Sequence, residues 1–123
     1  MKHCILIIDD EKSNLNTLSH TLRQCYTVYT AKDGKTGLEI ANEYMPDLIL
    51  LDIIMPEMDG YEVITELKAT EKVRNIPVIF ITGLDGTEDI QKGLSMGAAD
   101  YISKPFSAMT VKETISKQIQ ARR

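Results

Sequence analysis

The chain has 123 residues, of which 43% are hydrophobic and 26% charged, with a formal net charge of −4. That is enough for one buried core, and the balance is that of a folded domain rather than a disordered segment. The acidic balance supplies no basic stripe, so no direct nucleic-acid binding is expected, and no window reaches the roughly 18 apolar residues of a membrane span.

The first strand is read at Cys4–Ile8, an apolar run that ends on two adjacent carboxylates, Asp9 and Asp10. Lys2 and this run have the look of a secretion signal, but the acids cut the run short and no small-residue cleavage site follows. The expected address is therefore the cytoplasm. Ser13 or Asn14 can cap a first helix with Leu15, Leu18 and Leu22 on its inner face. Tyr26–Ala31 alternates and reads as a half-buried edge strand. Asp33-Gly34 turns the chain into a second helix through Glu43, with Leu38 and Ala41 inward, and Pro46 stops it.

Leu48–Leu51 is the third strand and runs into Asp52. A turn-rich loop, IIMPEMDG, leads to a helix near Tyr61–Ala69 that buries Val63, Ile64 and Leu67. Val78–Ile81 is the fourth strand, ending at Thr82. Thr87–Met96 reads as a helix with Ile90 and Leu94 inward, closed by Gly97. Asp100–Ser103 is a short fifth strand, ending at Lys104-Pro105, and a last helix near Ala108–Gln120 carries Val111, Ile115 and Ile119. After it the chain closes on Arg122-Arg123, with no room for an effector domain; these cations either complement the helix dipole or begin a linker. Cys4 and Cys25 lack metal-ligand spacing and read as reduced core hydrophobes, and His3 and His20 are isolated.

Short apolar runs alternating with helical segments predict an α/β protein with a parallel sheet. Strands one, three and four are almost wholly apolar, so helices should cover both faces. The expected fold is a flavodoxin-like three-layer (βα)5 domain spanning residues 1-123, with strand order 2-1-3-4-5. In such a sheet the carboxyl ends of the strands share one edge, and ligands bind where the order reverses, here between strands one and three. Asp9, Asp10, Asp52, Thr82 and Lys104 all fall on that edge. Converging carboxylates repel, and a hard divalent cation such as Mg²⁺ is the simplest remedy. With Thr82 and Lys104 alongside, the set would stabilise a phosphoryl group carried on Asp52 as an acyl phosphate.

The segments IIDDE, LLDIIMPEMDGYE, IPVIFITG and GAADYISKPF resemble a response-regulator receiver domain of two-component phosphorelays, the CheY-like family, over essentially the whole chain. The resemblance implies a phosphoacceptor switch rather than an enzyme acting on outside substrates. It implies that Asp52 accepts a phosphoryl group from a phosphohistidine on a histidine kinase or phosphotransfer protein. It implies that Asp10, Asp52 and the Ile54 backbone carbonyl ligate Mg²⁺, with Asp9 acting mainly through metal-bound water. Lys104 would pair with a phosphoryl oxygen, and the Lys104–Pro105 peptide would be cis. Thr82 would bond the phosphoryl group and Tyr101 would swing from exposed to buried. The surface of the fourth helix, fifth strand and fifth helix would then bind an output domain, a partner protein or a second copy.

The resemblance also implies that Ile54 and Leu84 flank the route of attacking water, and their apolar side chains predict slow self-dephosphorylation. The stretch ITGLDGTEDIQKGLSMGA is similar to that of receivers fused to cyclic-dinucleotide or kinase modules. The rival enzyme reading is a Mg²⁺-dependent aspartyl-phosphate phosphatase or phosphotransferase. It would call for a second acid two residues after the nucleophile, where Ile54 stands. A receiver-like module that is never phosphorylated fits poorly with a full set of acids, hydroxyl and ammonium.

Overall fold

In the computed structural model, which describes residues 2–121, the chain alternates strand and helix five times. The elements are β1 (Cys4–Ile8), α1 (Lys12–Leu22), β2 (Thr27–Ala31), α2 (Gly34–Tyr44), β3 (Leu48–Leu51), α3 (Gly60–Ala69), β4 (Val78–Thr82), α4 (Thr87–Ser95), β5 (Asp100–Ser103) and α5 (Ala108–Ala121). The strands form one parallel sheet in the order β2-β1-β3-β4-β5, the order expected from the sequence. Arg122 and Arg123 lie outside the described residues.

Side chains of a strand alternate between faces, so one apolar run can serve two cores. Leu6 and Ile8 of β1, with Ile49, Leu51, Val78 and Phe80, pack under α2 and α3. Ile5 and Ile7, with Leu48, Leu50, Ile79 and Ile81, pack under α1 and α5. Burying each such aliphatic side chain contributes about 1.5–3 kcal/mol. β2, at the edge, is only half buried. Among the described residues no helix is long and apolar enough to cross a membrane.

The helix α1 begins at Lys12, earlier than a Ser13 or Asn14 cap would place it. Glu11 occupies the cap position without a side-chain capping bond, and its own N–H donates to the Asp9 carboxylate at 2.9 Å. The acid that ends β1 thus turns the chain into α1. Ahead of β2, the Tyr26 N–H still donates to the Leu22 carbonyl at 2.9 Å, so the strand starts one residue later than its pattern suggests. The helix α2 runs on to Tyr44 and closes through Met45 in the left-handed conformation, φ 50°, just before Pro46.

The largest departure is α4. Ile90 is only half buried and Leu94 is 45% exposed; Gly93 is the one buried residue of this helix. The rings of Phe80 and Tyr101 fill the space below α4, and only a residue without a side chain can approach them. A Cβ at Gly93 would lie 2.9 Å from Phe80 Cδ2 and 3.2 Å from Tyr101 Cε2. The face of the helix is therefore turned toward Gly93 rather than Leu94. Cys25 is also a correction: it is exposed, beyond the end of α1, while Cys4 is half buried.

Candidate phosphoacceptor and metal site

The candidate acids, hydroxyl and ammonium lie at the carboxyl edge of the sheet, whereas Tyr101 sits within β5. Asp9 and Asp10 follow β1, Asp52 follows β3, Thr82 ends β4 and Lys104 follows β5. The Asp9 N–H donates to the Ala31 carbonyl at 3.1 Å and the Asp52 N–H to the Ile8 carbonyl at 3.0 Å, so sheet-like bonding extends to both acids. Gly60 brings the start of α3 against the same edge. A Cβ there would lie 2.3 Å from the Asp52 carbonyl oxygen, so glycine is required by close approach. Asp59 and Glu62 form a reciprocal capping box that holds this helix end.

Carboxylate oxygens of Asp9, Asp10 and Asp52 lie within 4.8 Å of one another. Asp9 is fully buried and Asp52 nearly so, whereas Asp10 is exposed. Lys104 reaches across from β5: its Nζ donates to Asp9 Oδ2 at 3.1 Å and to Asp52 Oδ2 at 3.0 Å. The second Asp9 oxygen accepts the Glu11 N–H, and the second Asp52 oxygen accepts the Ile54 N–H at 3.3 Å.

Burial pushes the Asp9 carboxyl up, and the Asp52 charge adds to it, against the opposing pull of the Glu11 N–H and the Lys104 ammonium. Burial alone would lower Lys104. Its hydrogen bond to Asp52 and the Asp52 charge, followed by those of Asp9, outweigh burial and hold the ammonium above its usual value. One ammonium therefore faces three carboxylates, and the remaining negative charge is unmatched. Hard oxygen donors this close, with an exposed member at the mouth, suit a small divalent cation that keeps some of its water.

Thr82 is fully buried one strand from Asp52, and its carbonyl accepts the Lys104 N–H at 2.8 Å. The Leu84 N–H approaches the Thr82 hydroxyl at 3.5 Å. Tyr101 is half buried, edge-on to Phe80, and its hydroxyl donates to the Leu84 carbonyl. The Lys104–Pro105 peptide is cis. Ile54 is 59% exposed and Leu84 half buried. Sequence reasoning gave no role to Glu11, whose carboxylate lies 3.8 Å from Lys104 Nζ. Its place directly after the Asp9–Asp10 pair was the available signal. It also gave no role to Gly60, whose constraint exists only once β3 and α3 are brought together.

The comparisons with known proteins agree with this geometry. Residues 5–116 match the family model of the response regulator receiver domain. The chain belongs to that family. A probable cyclic di-GMP phosphodiesterase of Vibrio cholerae is 45% identical over 119 residues, covering 97% of this chain and 27% of that protein. The response regulator PleD of Caulobacter vibrioides is 46% identical over 103 residues, covering 83% of this chain and 23% of PleD. The chain thus spans only about a quarter of the length of these relatives. Among solved structures, the receiver domain of a sensor histidine kinase from Pseudomonas aeruginosa PAO1 superposes with a TM-score of 0.89. It is 29% identical, with 98% of this chain and 99% of that one covered, and is described with a magnesium ion coordinated in its active site cleft. Receiver domains are regulatory phosphoacceptor switches that work with histidine kinases and output domains, and this chain has their fold and their acidic site.

Proposed function

We propose that Asp52 is the phosphoacceptor of this receiver domain. The observation that carries the reading is the Lys104 ammonium bridging Asp9 and Asp52, at 3.1 and 3.0 Å, beside the third acid, Asp10. Asp10, Asp52 and the Ile54 backbone carbonyl would hold Mg²⁺, with Asp9 acting through a metal-bound water. Asp9 is fully buried beneath Lys104 while Asp10 is exposed at the mouth, which favours that indirect role for Asp9. When bound, the metal supplies positive charge for the transferred phosphoryl group.

An Asp52 carboxylate oxygen attacks phosphorus on the phosphohistidine of a histidine kinase or phosphotransfer protein. The new O–P bond forms as the N–P bond breaks, and the imidazole leaves with the bonding pair and takes up a proton. Lys104 then pairs with a phosphoryl oxygen and the Thr82 hydroxyl bonds another, while Tyr101 follows Thr82. The added group brings roughly −1.5 to −2 charges and three acceptor oxygens, which is the differential interaction that shifts the population. The face of α4, β5 and α5 carries the change to an output domain, an effector protein or a second copy of the chain. The switch acts on its own aspartate and on no outside substrate, needs no nucleic acid or membrane, and works in the cytoplasm as one domain over residues 1-123.

Acetyl phosphate with Mg²⁺ tests this directly by intact-mass measurement. One hydroxylamine-labile phosphoryl group should appear, and both chelation of Mg²⁺ and Asp52→Asn should abolish it. Continuous release of phosphate without a stable adduct would support a phosphatase instead, and a full adduct on Asp52→Asn would rule out the assignment.

A further inference from the structure

Three rings and one cation connect α3 to the Tyr101 position. Tyr61, immediately after Gly60, meets Phe80 edge-on, with ring centroids 5.9 Å apart and planes at 69°. Phe80 meets Tyr101 in the same manner at 6.0 Å and 61°. Lys92 Nζ, from α4, lies 4.1 Å from the centroid of the Tyr61 ring. Gly93 leaves the room in which the Phe80 and Tyr101 rings sit. Phe80 and Leu84 stand two residues before and two after Thr82, and the Tyr101 hydroxyl donates to the Leu84 carbonyl. Edge-to-face rings attract through the positive rim of one and the negative face of the other, and a cation over a ring face is attracted by the same quadrupole.

We propose that Tyr61, Lys92 and Gly93 form a clamp that positions Tyr101 inward, so that α3 takes part in setting the switch. The proposal rests on the reading of Tyr101 as the residue that follows Thr82. An outward Tyr101 gives up both the Phe80 edge contact and the Leu84 bond. Tyr61, with Lys92 over its face, holds the Phe80 ring that Tyr101 meets, and Gly93 leaves room for both rings, so the clamp raises the inward population before any phosphoryl group is present. A phosphoryl group can move the equilibrium only by its differential interaction with the two states, so the clamp sets the basal output. The three residues are positioning residues and touch none of the reacting atoms.

Fluorine NMR of the full chain labelled with 3-fluorotyrosine reads the Tyr101 environment without phosphorylation. There are five tyrosines, and loss of one resonance in Tyr101→Phe assigns the signal. Lys92→Met should lower the inward-to-outward ratio about twofold to fivefold, and Tyr61→Leu by up to about tenfold. Gly93→Ala should lower it by about tenfold or more, because its methyl overpacks the rings. Circular dichroism should show unchanged helix content in Lys92→Met, whose side chain is exposed. A Tyr101 resonance identical to wild type in both Lys92→Met and Tyr61→Leu would overturn the clamp. Acetyl phosphate on the wild-type chain is the separate arm. Its failure to modify Asp52 would remove the phosphoacceptor reading and leave the clamp result standing.

Discussion

Both α4 and α5 cover the β4–β5 edge of the sheet, on opposite faces, and they are held there in opposite ways. α5 buries Val111, Ile115 and Ile119 in one continuous apolar row. α4 buries only Gly93 and leaves Leu94 45% exposed. Apolar area removed from water is what anchors a helix, so α5 is fixed to the sheet while α4 rests on two rings. The difference places the weakly held element beside Thr82 and Tyr101, where a switch needs something that can move at low cost. The acids sit at the carboxyl ends of β1 and β3, where sheet bonding runs up to both buried ones.

The largest effect that would break this contrast is in α5. Ile115→Ala should cost about 2–5 kcal/mol in a urea titration, as truncation of a fully buried side chain does; a loss below 1 kcal/mol by the same scale would mean α5 is not the anchor. Next comes the metal. Mg²⁺ at a hundred times its dissociation constant should stabilise the fold by about 2.7 kcal/mol, reversed by chelation and weakened in Asp10→Asn. Hydrogen exchange of α4 amides should stay fast throughout, since the ion acts on the β1–β3 side; protection of α4 would contradict the division.

A smaller effect is kinetic. Ile54→Asn with Leu84→Glu should shorten the phosphoryl lifetime about tenfold, roughly 1.4 kcal/mol of barrier, by giving attacking water a polar partner; an unchanged lifetime counts against slow hydrolysis being set by these two side chains. Leu94→Ser should change stability by less than about 0.5 kcal/mol, as an exposed position does.

The last effect is confined to alkaline pH. Burial, followed by the charges of Tyr61, Asp89, Asp85 and Asp52, pushes the Tyr101 hydroxyl from its ordinary 10.0 up to about 12. Between those values the folded chain keeps a proton that the unfolded chain releases. This contribution is full below pH 10 and falls as pH rises toward about 12. A spectrophotometric titration should show Tyr101, identified with Tyr101→Phe, ionising well above the ordinary value of 10.0; ionisation at that ordinary value would argue against the inward position.

The strands and the edge on which their polar ends gather were legible because each signal is local and strong. Continuous apolar runs ending at Asp9, Asp52 and Thr82 permit little besides a central parallel sheet, and the sheet alone brings those ends to one rim. Helix faces were legible where leucines, isoleucines and valines recur at helical spacing, as in α5. The start of α1 was not, because Ser13 and Asn14 look like caps and the decisive bond comes from Asp9, outside the helix. Tyr61 and Lys92 were passed over because their contacts join elements far apart in the chain.

The amino-acid sequence by itself determined the layer order, the two cores and the set of acids with one lysine at the sheet edge, since period and residue type act over a few neighbours. Only the tertiary structure decided that Lys104 spans Asp9 and Asp52, that Gly60 lies against the Asp52 carbonyl and that α4 presents Gly93 rather than Leu94. Helical periodicity says which residues share a face. Which face turns inward depends on the shape beneath it, and here that shape is made by Phe80 and Tyr101.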